Sequence, residues 1–316
     1  MIDKSLLQIP VLVVSCDKYA DLWDPFFKIF SNKWPDCTFP IYLGTNYKQI
    51  DNPDVETIAI GEDLNWASNL HKMLDTINSS HVIMFLEDFL ITENIDNNYI
   101  LKLVEIAFRE DVGCLRLAAG LPLAFPPSAP VDGYPGIGTI DKEQNYRVSA
   151  QVAIWKVETL RKVLIDGMNA WEFEDIGTYL SKRLNEPFWG LYAPAIVYRQ
   201  CVEKGKWKPE GLEICREAGV EIKSEARDAF TPQEMEVYFH DVDKKAHSAL
   251  EIQTGIKDFK TGHKSEGFRK IYALLKITPF NFRLWGTLFI GFLYPSLLDK
   301  IINIKFEKRI SLLRNK

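Results

Sequence analysis

Val82-Ile83-Met84-Phe85-Leu86 is an unbroken apolar run, closed at once by the two acids Glu87-Asp88. A run this apolar has no face to show to water, so it reads as a strand covered on both sides. Two carboxylates directly behind such a strand are costly to place unless a cation or hydrogen-bond donors hold them. Toward the N-terminus the same grammar recurs. Val11-Leu12-Val13-Val14 is followed by a helical stretch over 20–30. Pro40-Ile41-Tyr42-Leu43 and Val55 to Ile60 read as strands, and 67–77 as a second helix. The order βαββαβ predicts an α/β, Rossmann-type, mostly parallel sheet sandwiched by helices, with ligands gathering at the carboxyl ends of the strands.

Those ends carry the polar residues. Ser15-Cys16-Asp17 follows the first strand and Thr45-Asn46 the second; Asn65-Trp66-Ala67-Ser68 precedes the second helix, and Glu87-Asp88 follows the fourth strand. The chain holds no GxGxxG and no GxxxxGK[ST], so neither a dinucleotide fingerprint nor a P-loop supplies a phosphate site. A hard divalent ion bridging a carboxylate and a diphosphate would suit Glu87-Asp88, although acids after a strand also cap helices.

Beyond that strand, a helix is expected over 99–109 and a strand over 114–117. Residues 120–140, rich in proline and glycine, read as a long irregular loop. Loops of this length in compact domains are commonly lids or binding loops, and Tyr134 and Phe125 are suited to stacking on a sugar ring. A strand-like 147–154 and a helix over 157–164 lead to a second acidic cluster, Trp171-Glu172-Phe173-Glu174-Asp175, placed just before a helix over 176–184. Aromatic neighbours desolvate a carboxyl and raise its proton affinity, as a general base near neutral pH requires. Acids at a helix start equally favour the positive end of its dipole. His71 and His81 read as surface or cap residues. His240, in Tyr238-Phe239-His240-Asp241, is a candidate metal ligand, and Lys204, Lys206 and Lys208 form either a diphosphate-covering loop or a solvated one.

The net charge of −5 hides an asymmetry. Residues 257–316 carry 13 Lys and Arg against 4 Asp and Glu, whereas residues 1–256 carry 25 against 39. The basic segment is interleaved with Phe268, Tyr272, Phe280, Phe282 and Trp285, and residues 284–298 are uncharged. Fifteen helical residues reach about 22 Å, short of the roughly 30 Å hydrocarbon core. A segment lying on an anionic membrane surface is therefore expected, rather than a crossing or a nucleic-acid arm; a helical subdomain packed on the body is the alternative. The organisation expected is a binding domain over 1–256 and a membrane-associating extension over 257–316. Five cysteines without CxxC spacing, and no leader-like start at Met1-Ile2-Asp3-Lys4, point to a reducing, cytoplasmic setting on the inner face of a membrane.

The order and spacing of three stretches carry a resemblance. These are Glu87-Asp88 with Glu174-Asp175 86 residues later, Ser149-Ala150-Gln151-Val152-Ala153-Ile154-Trp155 leading to the second cluster, and Gly205-Lys206-Trp207-Lys208-Pro209-Glu210-Gly211. Together, over roughly residues 8–225, they resemble GT-A fold glycosyltransferases of bacterial surface-polysaccharide assembly. The resemblance implies a nucleoside-diphosphate sugar donor and a saccharide or lipid-linked saccharide acceptor. Asp88 matches the last acid of the DxD-like motif, which reads Leu86-Glu87-Asp88 here, and Asp88 with His240 would hold a divalent cation, Mn2+ or Mg2+. An inverting transfer would use Glu174 as base, with Asp175 and Glu172 as substitutes. Ser15, Asp17, Thr45, Asn46, Asn65, Trp66 and Ser68 would hold base and ribose, and Gln151, Trp155 and Tyr134 the acceptor. A sugar-phosphate nucleotidyltransferase, or a carbohydrate-binding protein on a transferase scaffold, are the rival readings.

Overall fold

The computed structural model describes residues 9–118, 126–222, 226–278 and 280–315. Phe125 and the first part of the proline-rich loop lie outside them. Two compact units form: residues 1–229 with 313–316, and residues 230–312. The change in charge at 257 falls inside the first helix of the second unit, Pro232–Lys260, rather than at the division.

In chain order the first unit comprises β1 (Val11–Val14), a 3-10 turn (Asp17–Leu22), α1 (Trp23–Lys33), β2 (Ile41–Thr45), β3 (Glu56–Ala59), α2 (Trp66–Thr76), β4 (His81–Leu86), β5 (Phe89–Ile91) and α3 (Asn97–Arg109). Next come β6 (Cys114–Arg116), β7 (Ala129–Pro130), β8 (Ile137–Thr139), β9 (Ala153–Lys156), α4 (Val157–Val163) and α5 (Ala170–Ser181). The unit ends with β10 (Phe188–Leu191), β11 (Tyr198–Gln200), β12 (Val202–Glu203), β13 (Lys206–Trp207) and α6 (Pro209–Glu217). The fold is α/β, with a large sheet flanked by helices and a helical C-terminal region.

The sheet order is β3-β2-β1-β4-β9-β6-β10-β8-β7. Val11 pairs in parallel with Ile41 on one side and Ile83 on the other, as the sequence predicts for strands too apolar to be exposed. β9 and β8 run against the rest. The strand expected over 147–154 is confined to Ala153–Lys156 and inserts antiparallel between β4 and β6. The expected irregular loop closes as the β7–β8 hairpin, which extends the sheet beyond β10. Close packing sets residue choice at Gly44, where a Cβ would lie 2.2 Å from the Met73 sulfur of α2.

Caps define the helix starts. The Asn65 side chain accepts from Ser68 N and starts α2; Asp96 accepts from Tyr99 N and starts α3. At α5, Asn169 and Glu172 form a reciprocal capping box, so the helix begins six residues earlier than its apolar pattern suggests and takes in the second acidic cluster.

His81, expected at the surface, is instead buried at the start of β4, its ring 4.0 Å from that of Phe108. Burial, with the nearby Lys156 charge, depresses its pKa to about 4. Below pH about 6.5 the unfolded chain takes up a proton that the folded chain refuses until pH about 4, so this group removes stability as pH falls through that window. His81→Leu should lessen the acid loss between these limits by about 2 kcal/mol, read from urea unfolding at a series of pH values.

The second unit is helical: α7 (Pro232–Lys260), α8 (Lys264–Ile277), α9 (Phe282–Leu293) and most of α10 (Pro295–Arg314). Phe259, Ile271, Leu274, Leu275, Leu284, Leu288 and Leu298 form its core. Among the described residues no helix is long and apolar enough to cross a membrane.

Candidate functional site

The carboxyl ends of β1, β2 and β4 face one rim of the sheet, and their loops are tied to one another. The Asp17 carboxylate accepts from the backbone amides of Asn46 (3.0 Å), Tyr47 (3.1 Å) and Lys48 (3.1 Å), while Asp17 N donates to Asn46 Oδ1 (3.0 Å). Thr45 Oγ1 donates to the Lys48 carbonyl (2.8 Å), Asn46 Nδ2 to the Gly61 carbonyl (3.2 Å), and Trp23 Nε1 to Ser15 Oγ (2.8 Å). On the next loop Asn65 Oδ1 accepts from Ser68 N and Gly167 N, Ser68 Oγ donates to Asp166, and Trp66 packs 5.1 Å from Phe173. The side chains expected to hold base and ribose therefore bond within the protein. Their effect on a ligand would be to fix the rim's shape before anything binds.

Glu87 and Asp88 sit between β4 and β5, and both are buried. Burial drives the Glu87 carboxyl well above its ordinary value; the Asp88 charge adds to this and Arg227 opposes it. Burial pushes Asp88 up to about 7 against the hydrogen bond from the Gln200 side chain and the Lys208 charge. Arg227 is held by both oxygens of Asp21 (2.8 Å each), lies 4.6 Å over the Tyr19 ring and donates to the Gly205 carbonyl (3.1 Å). This arginine ties the β12–β13 hairpin to the loop behind β1. The basic segment 204–208 thus sits by the first acidic pair, with Lys204 and Gly205 both at positive φ in its turn.

The second acidic cluster separates its members. Glu174 is half-buried, its Oε1 accepting from Ala150 N at 3.0 Å. Burial raises its proton affinity, opposed by that N–H and by the Arg116 charge. The Glu172 carboxylate accepts from Asn169 N (3.1 Å) in the capping box. Asp175 is exposed.

Tyr198 lies within the electrostatic reach of both acidic regions. Its ring stacks on Phe89 at 4.3 Å and 17°. Burial raises its phenol pKa, the Asp88 charge raises it further, Arg116 opposes, and Glu174 adds to it. Two carboxylates distant in sequence therefore act on one phenol. Arg116, buried in β6 and donating to the Tyr146 carbonyl, supplies the positive charge that opposes the shifts of both Tyr198 and Glu174. One residue from Ala150, the Gln151 Oε1 is buried without a hydrogen-bond partner among the described residues.

One expectation is corrected. Trp155 is fully buried in β9 against Phe173 and Phe188, so it belongs to the core and does not line an acceptor site. Tyr134 bonds to Glu110 and Arg109 and lines a cavity of about 230 Å³ with Tyr99 and Lys102. The cavity runs along α3 from Tyr99 to Arg109, and Ile137, also in its lining, pairs with Leu191 at the carboxyl end of β10. His240 is exposed on α7, and among the described residues no three His, Cys, Asp or Glu side chains converge on a metal position. The consecutive carboxylates Glu87 and Asp88 still offer hard oxygen donors. Mg2+-like ions often take one or two protein carboxylates and complete their shell with phosphate and water, so the pair fits such an ion.

Arg116, Tyr198, Gln200 and Arg227 are additions that the sequence reading lacked. Arg116 carried a signal, a charge inside the apolar run Cys114-Leu115-Arg116-Leu117. Tyr198 and Gln200 carried none, because their place depends on β11 pairing with β5.

No protein-family model matches the chain, and no curated protein is similar to it. Among solved structures, S. aureus TarS residues 1–349 is similar at 10% identity over 67% of this chain, with a TM-score of 0.42; the chain spans 64% of that structure. Apo UDP-glucose pyrophosphorylase is similar at 9% identity, covering 67% of this chain and 96% of the other, with a TM-score of 0.41. The bifunctional IspDF of Campylobacter jejuni is similar at 18% identity, covering 55% and 46%, with a TM-score of 0.30. These values carry no residue correspondence, and the functional reading rests on the rim itself.

Proposed function

We propose that the chain is a glycosyltransferase that moves a sugar from a nucleoside diphosphate to a saccharide hydroxyl with inversion. The observation that carries this reading is that the charges of Asp88 and Glu174 both act on the buried Tyr198 phenol, in β11, which pairs with β5 directly after Asp88. Transfer needs two opposite services at one place: positive charge for the departing diphosphate and a base for the incoming hydroxyl.

Glu174 is the base in this reading. Its carboxylate is fixed by Ala150 N and has a raised proton affinity, so it accepts the hydroxyl proton more readily than an ordinary glutamate. The acceptor oxygen then forms a bond to the anomeric carbon. The bond from that carbon to the diphosphate oxygen breaks, and its electron pair leaves with the nucleoside diphosphate. Lys208 and Arg227 bring positive charge to the side where that product forms. Asp88, with Glu87 beside it, would hold Mn2+ or Mg2+, whose contribution when bound is to neutralise the diphosphate. Gln151, with its unpaired Oε1, suits a hydrogen bond from an acceptor hydroxyl.

Incubation with a panel of nucleoside-diphosphate sugars and saccharide acceptors tests the reading through product identity. Free nucleoside diphosphate with an elongated saccharide is expected. Nucleoside triphosphate formed from sugar nucleotide and pyrophosphate would instead assign a nucleotidyltransferase. Saccharide binding without any turnover would assign a non-catalytic scaffold.

A further inference from the structure

The helical unit presents apolar surface that its own core does not cover. In α9 the residues Leu284, Leu288 and Gly291 face inward, with Phe259 seated against Gly291. The opposite stripe, Phe282, Phe289 and Leu293, repeats at helical spacing and is exposed. Phe280, just before the helix, is 87% exposed and Phe282 83%, values unusual for phenylalanine in water. Arg283 is the one charged residue of α9, and no charge follows until Asp299. A helix apolar on both faces has a second apolar neighbour or lies in lipid.

The charge around this stripe selects the neighbour. Residues 257–316 carry a net charge of +9 on a chain whose total is −5. Lys276 lies 5.4 Å over Tyr272 and Lys264 5.7 Å over Phe292, so cations and aromatic rings pair at both ends of α8. Aromatic rings flanked by cations match the boundary between anionic headgroups and acyl chains. A second copy of this face would bring like charges together, which disfavours self-association. α9 has 12 residues, too short to cross a bilayer.

We infer that the α8–α9 elbow and the outer face of α9 dock on an anionic bilayer, with Phe280, Phe282, Phe289 and Leu293 entering below the headgroups and Lys276 and Arg283 contacting them. The surface lies wholly within the second unit, so this inference is independent of the transferase reading.

Co-sedimentation of the full chain with phosphatidylcholine vesicles, with and without about 30% phosphatidylglycerol, tests it. Binding is expected with the anionic vesicles, at least about tenfold above the neutral ones, and weakening as salt rises. Phe280→Ser with Phe282→Ser should reduce partitioning at least about tenfold, since both rings lose their apolar contact. Lys276→Gln with Arg283→Gln should reduce it about fivefold per charge. Both pairs are exposed, so the circular dichroism melt of each variant should match the parent. No sedimentation with anionic vesicles, or equal sedimentation of the phenylalanine variant, would overturn the inference. A stable dimer that the phenylalanine variant dissolves, without vesicle binding, would overturn it in favour of a second copy.

Discussion

Glu174→Gln is expected to lower turnover by about 10²- to 10⁴-fold, the range a positioned general base supplies, while leaving donor binding nearly unchanged. The amide oxygen can still accept from Ala150 N, so the local geometry survives and the loss is chemical. Burial already opposes the charged carboxylate, so the variant should melt at the same temperature as the parent or higher above neutral pH. In the parent, turnover should rise with pH as Glu174 loses its proton, with a midpoint displaced above that of an ordinary glutamate. This limb should vanish in the variant. Steady-state kinetics across pH, with calorimetric donor binding, reads all three; a variant of near-normal turnover would remove Glu174 from the base role.

Asp88→Asn should move function and stability in opposite directions. Turnover should fall by about 10²- to 10³-fold if this acid organises the charge around the departing diphosphate. The stability effect follows from the raised pKa. Below pH about 4 both folded and unfolded chains hold the proton and nothing is lost. Between about 4 and about 7 the unfolded chain ionises first, so the parent loses stability as pH rises, and the full loss persists above that. The variant lacks this loss, and the Glu87 carboxyl no longer feels its neighbour's charge. A gain on the order of 1–3 kcal/mol at pH about 8 is expected from urea unfolding. Added Mn2+ or Mg2+ should raise the melting temperature of the parent and not of Asp88→Asn.

The parallel half of the sheet was legible because β1, β2 and β4 are apolar runs whose burial leaves few alternatives. The rim followed from it, since polar residues cluster where those strands end. Residues whose role depends on remote pairing were not legible. Tyr198 enters the site only through the ladder of β11 with β5, and Tyr134 reaches Glu110 and Arg109 only through the turn of the β7–β8 hairpin. Trp155 was misjudged although its neighbours Val152, Ala153 and Ile154 already describe a buried strand. Within the second cluster, sequence spacing separated Glu172 from Glu174 only through the cap at Asn169, which lay outside the acidic stretch. The charged tail was legible as composition, but the division between units at 229/230 was not, because α7 runs unbroken through the change in charge.

The central claim is that the acids at the end of β4 and in α5 serve one reaction space. A crystal structure of the chain soaked with a nucleoside diphosphate and a saccharide acceptor measures this most directly. The diphosphate is expected beside Asp88, Lys208 and Arg227, with an acceptor hydroxyl within hydrogen-bond reach of Glu174. A nucleotide bound elsewhere, such as in the Tyr99–Tyr134 cavity beside α3, would contradict it.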